Sequence, residues 1–142
     1  MTLRRPDHAV SVELEIPFHD CDPLFVAWHG RYFQYLEASR QALLRSRRLD
    51  VPDLIALHHR LFVADVRCRY TFPLTYGDRV RVTSWFGEHE RLIRVLYDVF
   101  NETKGRRSAR ASTLLAVTDE RNAFLPQLPA AIRERLPPEA TP

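Results

Sequence analysis

Long apolar runs are missing from this sequence. None approaches the roughly 18 residues that a membrane-spanning helix needs. The N-terminus, Met1 to His8, carries no apolar core behind Arg4 and Arg5, so no secretory signal is expected and a cytoplasmic location follows. Cysteine is scarce as well. Cys21 and Cys68 stand alone, with no C-x-x-C pair and no repeated His/Cys spacing, which argues against a disulfide framework and against a metal centre. Both thiols are expected to be reduced. Asp20 and Asp22 flank Cys21, and carboxylates oppose thiolate formation, so Cys21 reads as a small packed residue rather than a nucleophile. Lysine is almost absent: Lys104 is the single lysine among 21 basic residues. Arginine fits phosphates and carboxylates in bidentate fashion, which favours an anionic partner. The net charge is only +3, and there is no run of five or more like charges, no finger spacing and no RNP-type motif, so no nucleic-acid partner is expected.

What is present fits one domain over residues 1–142, with a core at about 11–120 and a C-terminal tail at 121–142. In residues 11–18, Val12, Leu14, Ile16 and Phe18 alternate with polar neighbours, the period of a half-buried strand, and Pro17 predicts an edge or a strand end. Residues 28–49 hold good helix formers, with Tyr32, Phe33, Leu36, Leu43 and Leu44 near three- and four-residue spacings. This is the one long helix. Its small residues Ala38, Ser39 and Ala42 permit close approach to another element, and Arg45, Arg47 and Arg48 suit its negative end. Val51-Pro52-Asp53 is read as a break, followed by a helical turn over 54–59. Runs rich in Val, Leu, Tyr, Phe and Thr then fill 61–72, 79–87, 92–101 and 108–118, separated by short turn segments. Short turns imply antiparallel neighbours. Five strands and one helix predict an α+β fold, a sheet wrapped on a single long helix. Residues 129–136 read as a short terminal helix with Pro129 first, and 137–142 as a frayed end.

The segment between the first strand and the helix carries the chemistry. Asp20-Cys21-Asp22-Pro23, Val26-Ala27-Trp28-His29-Gly30-Arg31-Tyr32 and Glu37-Ala38-Ser39-Arg40 resemble the 4-hydroxybenzoyl-CoA thioesterase and YbgC-like branch of the hotdog fold, and Pro73 with Gly77-Asp78-Arg79-Val80 is similar to that family's turn. The resemblance spans roughly residues 11–120 and implies hydrolysis of an acyl thioester of coenzyme A or of an acyl carrier protein. It implies Asp22 as the catalytic carboxylate and the backbone N–H of His29 as the donor to the thioester carbonyl. Physical chemistry supports both roles. A helix start presents unpaired N–H donors and a partial positive charge, which suits a developing oxyanion. An ionised aspartate serves as nucleophile or as general base on water. YbgC-like relatives carry histidine at the position of His29, as here, whereas Phe18 stands where some carry tyrosine.

Trp28 and Tyr32 are the candidate substrate contacts, although packing is the commoner role of such aromatics. Asp22-Pro23 also suits a helix start without catalysis, Asp20 suits a supporting turn, and Glu37 with Arg40 suits a helix-face ion pair. Another branch of the fold uses a helix carboxylate, which keeps Glu37 in view. Arg81, Arg91, Arg94, Arg106 and Arg107 are open candidates for the substrate phosphates. The resemblance implies no cofactor and a homodimer or homotetramer with sites at the subunit interface. A slight likeness of residues 22–30 to thioesterases of aryl-polyene lipid synthesis favours a carrier-protein substrate. The rival readings are a non-catalytic acyl-CoA-binding module, and a hydroxyacyl-thioester dehydratase, whose His-Phe-Pro segment is not matched by His29-Gly30-Arg31-Tyr32.

Overall fold

The computed structural model describes residues 5–138; residues 139–142 of the expected frayed end lie outside the described residues. Strand β1 (Val10–Glu15) leads through a 3₁₀ turn at Phe18–Asp20 and a loop to a second 3₁₀ turn, His29–Arg31, which runs into helix α1 (Tyr32–Ser46). Helix α2 (Val51–Ala56) and strands β2 (Arg60–Tyr70), β3 (Arg79–Phe86), β4 (Ile93–Asn101) and β5 (Arg106–Thr118) follow, then helix α3 (Ala130–Arg133). The strands form one antiparallel sheet in the order β1-β3-β4-β5-β2. This is the α+β hotdog arrangement, with β1 and β2 as its edges.

Alternation explains which face is covered. Val80, Val82 and Phe86 of β3, Ile93, Val95, Tyr97 and Val99 of β4, and Leu115 and Val117 of β5 are buried on the helix side. Leu36 and Leu43 of α1 meet them. Ser39 allows the helix to sit close, because its hydroxyl donates to the Val82 carbonyl at 3.0 Å and meets Ser84 Oγ at 2.8 Å. Helix α1 therefore lies on β1 and β3. Its side toward β2 is left less closely packed.

Several boundaries differ from the sequence reading for local reasons. Phe18 leaves the strand pattern: β1 ends at Glu15, and Phe18 is 76% exposed, its ring edge-on to Tyr76. Pro52 does not break structure but sits in the first turn of α2, where a missing N–H costs nothing. Asp50 and Asp53 form a capping box there, so α2 starts at Val51 and not at 54. The terminal helix is shorter than 129–136, with Pro129 as its cap. The core also continues past residue 120: Leu128, Ile132 and Leu136 are buried in it, and Arg135 donates to the Arg48 carbonyl at 2.7 Å.

Candidate active site

Asp20 anchors the segment that holds the candidate residues. The Phe18–Asp20 turn points its carboxylate inward, where Tyr35 Oη donates to it at 2.7 Å, with Arg31 Nε at 3.5 Å and His19 Nε2 at 3.4 Å. Burial, and then the bond to Asp20, push the Tyr35 phenol far up. The Asp20 carbonyl in turn accepts the N–H of Trp28 at 2.8 Å. Asp20 is thus a support, as expected from its place beside Asp22.

Between these points the chain makes a closed loop. Cys21 and Ala27 form an antiparallel bridge, which brings their Cα atoms to about 5 Å. Ala27 also donates to the Leu74 carbonyl at 2.7 Å, fixing the loop to the β2–β3 connection. Inside the loop, Asp22 donates its N–H to the Val26 carbonyl and accepts from Phe25 N–H through its own carbonyl, both at 2.9 Å. Its Oδ1 accepts from Leu24 N–H at 2.9 Å. Asp22-Pro23 therefore caps a tight turn rather than a helix, and Oδ2 has no hydrogen-bond partner among the described residues. Phe25 completes the turn with φ at +65°, in the left-handed region. Leu24 and Phe25 form its apolar tip, 78% and 83% exposed. Cys21 stays a packed thiol: burial first, then Asp20 and Asp22, push its pKa up.

Asp22 lies one residue inside the bridge, toward the tip of the loop, and His29 two residues outside it, where the chain enters the turn before α1, so the bridge stands between them. The 3₁₀ turn of His29–Arg31 extends the N-terminal end of α1, and no side chain caps it. Among the described residues no acceptor meets the N–H of His29 or of Gly30. The His29 carbonyl accepts from Tyr32 N–H within the turn and from Tyr70 Oη at 2.9 Å. That second bond ties the start of α1 to the end of β2. The indole of Trp28 covers the turn from outside, so close to Gly30 that a Cβ there would stand 2.3 Å from Cζ3.

The two expected substrate contacts separate. Trp28 is 49% exposed at the loop mouth. Tyr32 is buried, packed edge-on to Tyr70 with centroids 4.7 Å apart, and burial, followed by the nearby Cys68, pushes its phenol up to about 12. Its position is that of a packing residue. Glu37 and Arg40 stand 3.9 Å apart on α1, with Glu37 exposed. Two partners escaped the sequence reading. Tyr70 lies 41 residues from the carbonyl it holds, and Tyr35 was one aromatic among several helix positions.

One long helix packed on a five-stranded antiparallel sheet, α1 lying on β1 and β3, defines the hotdog class of fold. Comparison with known proteins makes that specific: residues 16–136 match the family described as the thioesterase-like superfamily, and the chain belongs to it. A Bacillus subtilis (strain 168) protein named "Putative acyl-CoA thioesterase YneP" is 24% identical over 107 residues, covering 75% of this chain and 77% of that protein. Among solved structures, a hypothetical protein (AQ1494) from Aquifex aeolicus aligns with a TM-score of 0.80 at 24% identity, covering 90% of this chain and 99% of that one. The DHNA-CoA thioesterase from Staphylococcus aureus aligns at 0.76, also 24% identical, covering 83% and 80%. These structures share the fold.

Proposed function

We propose that this protein hydrolyses acyl-CoA thioesters at the Asp22 loop and the start of α1. The observation that carries the reading is a helix-start N–H, that of His29, and a carboxylate oxygen, Asp22 Oδ2, both without a partner among the described residues and both held by the Cys21–Ala27 bridge, one on each side of it. The thioester carbonyl oxygen accepts from the His29 N–H, where the helix end stabilises the negative charge that develops on it. Asp22 then takes one of two routes. As nucleophile it forms a mixed anhydride, which water opens; as general base it takes a proton from the attacking water. In both, the C–S bond breaks, and free acid and CoA thiol leave. The family match and the name of the Bacillus relative support the reaction class.

The test is thiol release from acyl-CoA and acyl-carrier thioesters by wild type, Asp22→Asn and His29→Ala. Asp22→Asn is expected to lower kcat by about 10² to 10⁴-fold, the usual contribution of a positioned acid or base. His29→Ala keeps the N–H and is expected to retain substantial rate. Absence of thiol release by the wild type from every thioester defeats the reading, and near-wild-type turnover by the Asn variant defeats the role of Asp22.

The working unit is at least a dimer, joined through β2. The two edges differ in how they are guarded. Strand β1 is six residues long and alternates with Glu13 and Glu15, a blunted edge of the kind that resists pairing. Strand β2 is 11 residues long, and Phe62, Val63, Val66 and Tyr70 on it are exposed. Pairing two copies along β2 satisfies its free backbone groups.

A further inference from the structure

Because α1 lies on β1 and β3 while α2 lies on β2, a gap runs between α1 and β2, and α2 closes its far end. The gap opens there into a cleft of about 610 Å³, within the range of small-molecule sites. Leu44 of α1, Leu49, Leu54 and Ile55 around α2, and Leu61 and Val63 of β2 line it. Glu37, Arg40 and Gln41 stand on its α1 wall. Asp50, His59 and Arg60 add polar groups to its lining. The walls between the cleft and the His29 end are apolar too: Phe33 on α1, one turn before Glu37, and Val66 and Tyr70 on β2 are all partly exposed. Tyr70, whose hydroxyl holds the His29 carbonyl, marks where this trough meets the helix start.

We propose that the cleft receives the far end of a long aliphatic acyl chain, whose thioester carbonyl sits at the His29 N–H. This rests on the thioesterase reading above and adds the substrate class. The length follows from helix geometry. Glu37 is eight residues beyond His29 and Leu44 fifteen, about 12 and 22 Å at the helical rise. An extended carbon chain advances about 1.25 Å per bond, from a C–C length near 1.5 Å, so roughly ten carbons reach Glu37 and about 16 approach Leu44. Shorter acyl groups leave the cleft unfilled.

The experiment measures kcat/KM over straight-chain acyl-CoA thioesters from butanoyl to octadecanoyl, with benzoyl-CoA beside them. The expected profile climbs along the trough and goes on climbing beyond about ten carbons toward about 16, by up to fourfold per methylene, the gain for burying a CH₂. Ile55 is 68% exposed at the cleft, so Ile55→Glu introduces charge without disturbing the core. It should cut the hexadecanoyl-to-butanoyl ratio of kcat/KM by about fourfold or more, since it removes at least one methylene's worth of apolar contact with the chain. Val63→Trp should move the preferred chain to fewer carbons. A profile that levels off by eight carbons, a preference for benzoyl-CoA, or a ratio unmoved by both substitutions overturns the proposal. Titration of hexadecanoate into the Asp22→Asn protein, with and without Ile55→Glu, reports the cleft apart from catalysis. Hexadecanoate binding that Ile55→Glu abolishes supports the cleft even if no thioester is hydrolysed. Hydrolysis with no such binding leaves the thioesterase reading standing and sinks this one.

Discussion

A methyl group at position 30 would lie 2.3 to 2.8 Å from three atoms of the Trp28 ring, so Gly30→Ala forces the indole off the turn that carries His29. Trp28 is half-exposed and free to swing outward, so the cost should fall on activity and not on folding. The expected result is a shifted tryptophan fluorescence spectrum and a clear fall in kcat, with the unfolding midpoint close to wild type. Tyr70 is the complementary case. Its hydroxyl fixes the His29 carbonyl without touching the N–H on the other side of that residue, so it acts as a positioning residue. Tyr70→Phe removes one hydrogen bond, worth about 1 kcal/mol net, and keeps the ring against Tyr32. We expect a fall in kcat of about tenfold or less, with KM little changed; an equal loss in short- and long-chain thioesters would separate positioning from a role in chain binding.

At the scale of elements, Asp78 joins two turns. Its carboxylate accepts from Thr75 N–H at 2.9 Å, Asn101 Nδ2 at 2.9 Å and Lys104 Nζ at 2.9 Å, linking the connection before β3 to the turn after β4. Burial alone pushes its carboxyl up, but the bonds from Lys104, Thr75 and Asn101 together outweigh burial and hold it below the ordinary aspartate value. A depressed folded pKa gives stability that is complete above the unfolded value of about 3.9 and is lost as pH falls through the folded one. The wild-type unfolding midpoint should therefore drop on acidification below about pH 4. Asp78→Asn should lower it at neutral pH and flatten this acid dependence, as read by thermal melts from pH 2.5 to 7.

The strands were legible in the sequence because Val12, Leu14, Val80, Val82, Val95 and Val99 alternate and burial follows alternation. The long helix was legible over residues 28–49 through its helix formers and apolar spacing, and it begins as a 3₁₀ turn over His29–Arg31 that runs into α1. Pro52 misled because a proline is read the same way whether it ends one helix or opens the next; Asp50, which decides the matter, precedes it by only two residues. Tyr70 and the cleft were hidden for a different reason. Both depend on β2 lying next to α1 in space, and no local pattern records which strand takes an edge.

For the whole molecule, the exposed apolar length of β2 sets the expected assembly. Scattering-coupled size exclusion should report at least twice the chain mass of 16.6 kDa. Val66→Lys places a charge on the free edge and should shift the population toward monomer, with activity falling in step if the site needs the pair. A variant that stays dimeric would move the interface away from β2.

The sheet order also has a consequence in time. Among the described residues β2 pairs with β5 alone, Tyr70 standing opposite Ala109 and Arg60 opposite Thr118. During synthesis, β1, α1 and β3 have their partners and β4 has one of its two before β5 emerges, whereas β2 waits for the last strand, a long-range pairing of the kind that closes late. Tyr70 cannot hold the start of α1, nor can the trough have its second wall, until that strand is made. On the proposed site, a nascent chain carries Asp22 and His29 long before Tyr70 reaches the start of α1, and turnover is expected only once the sheet is complete.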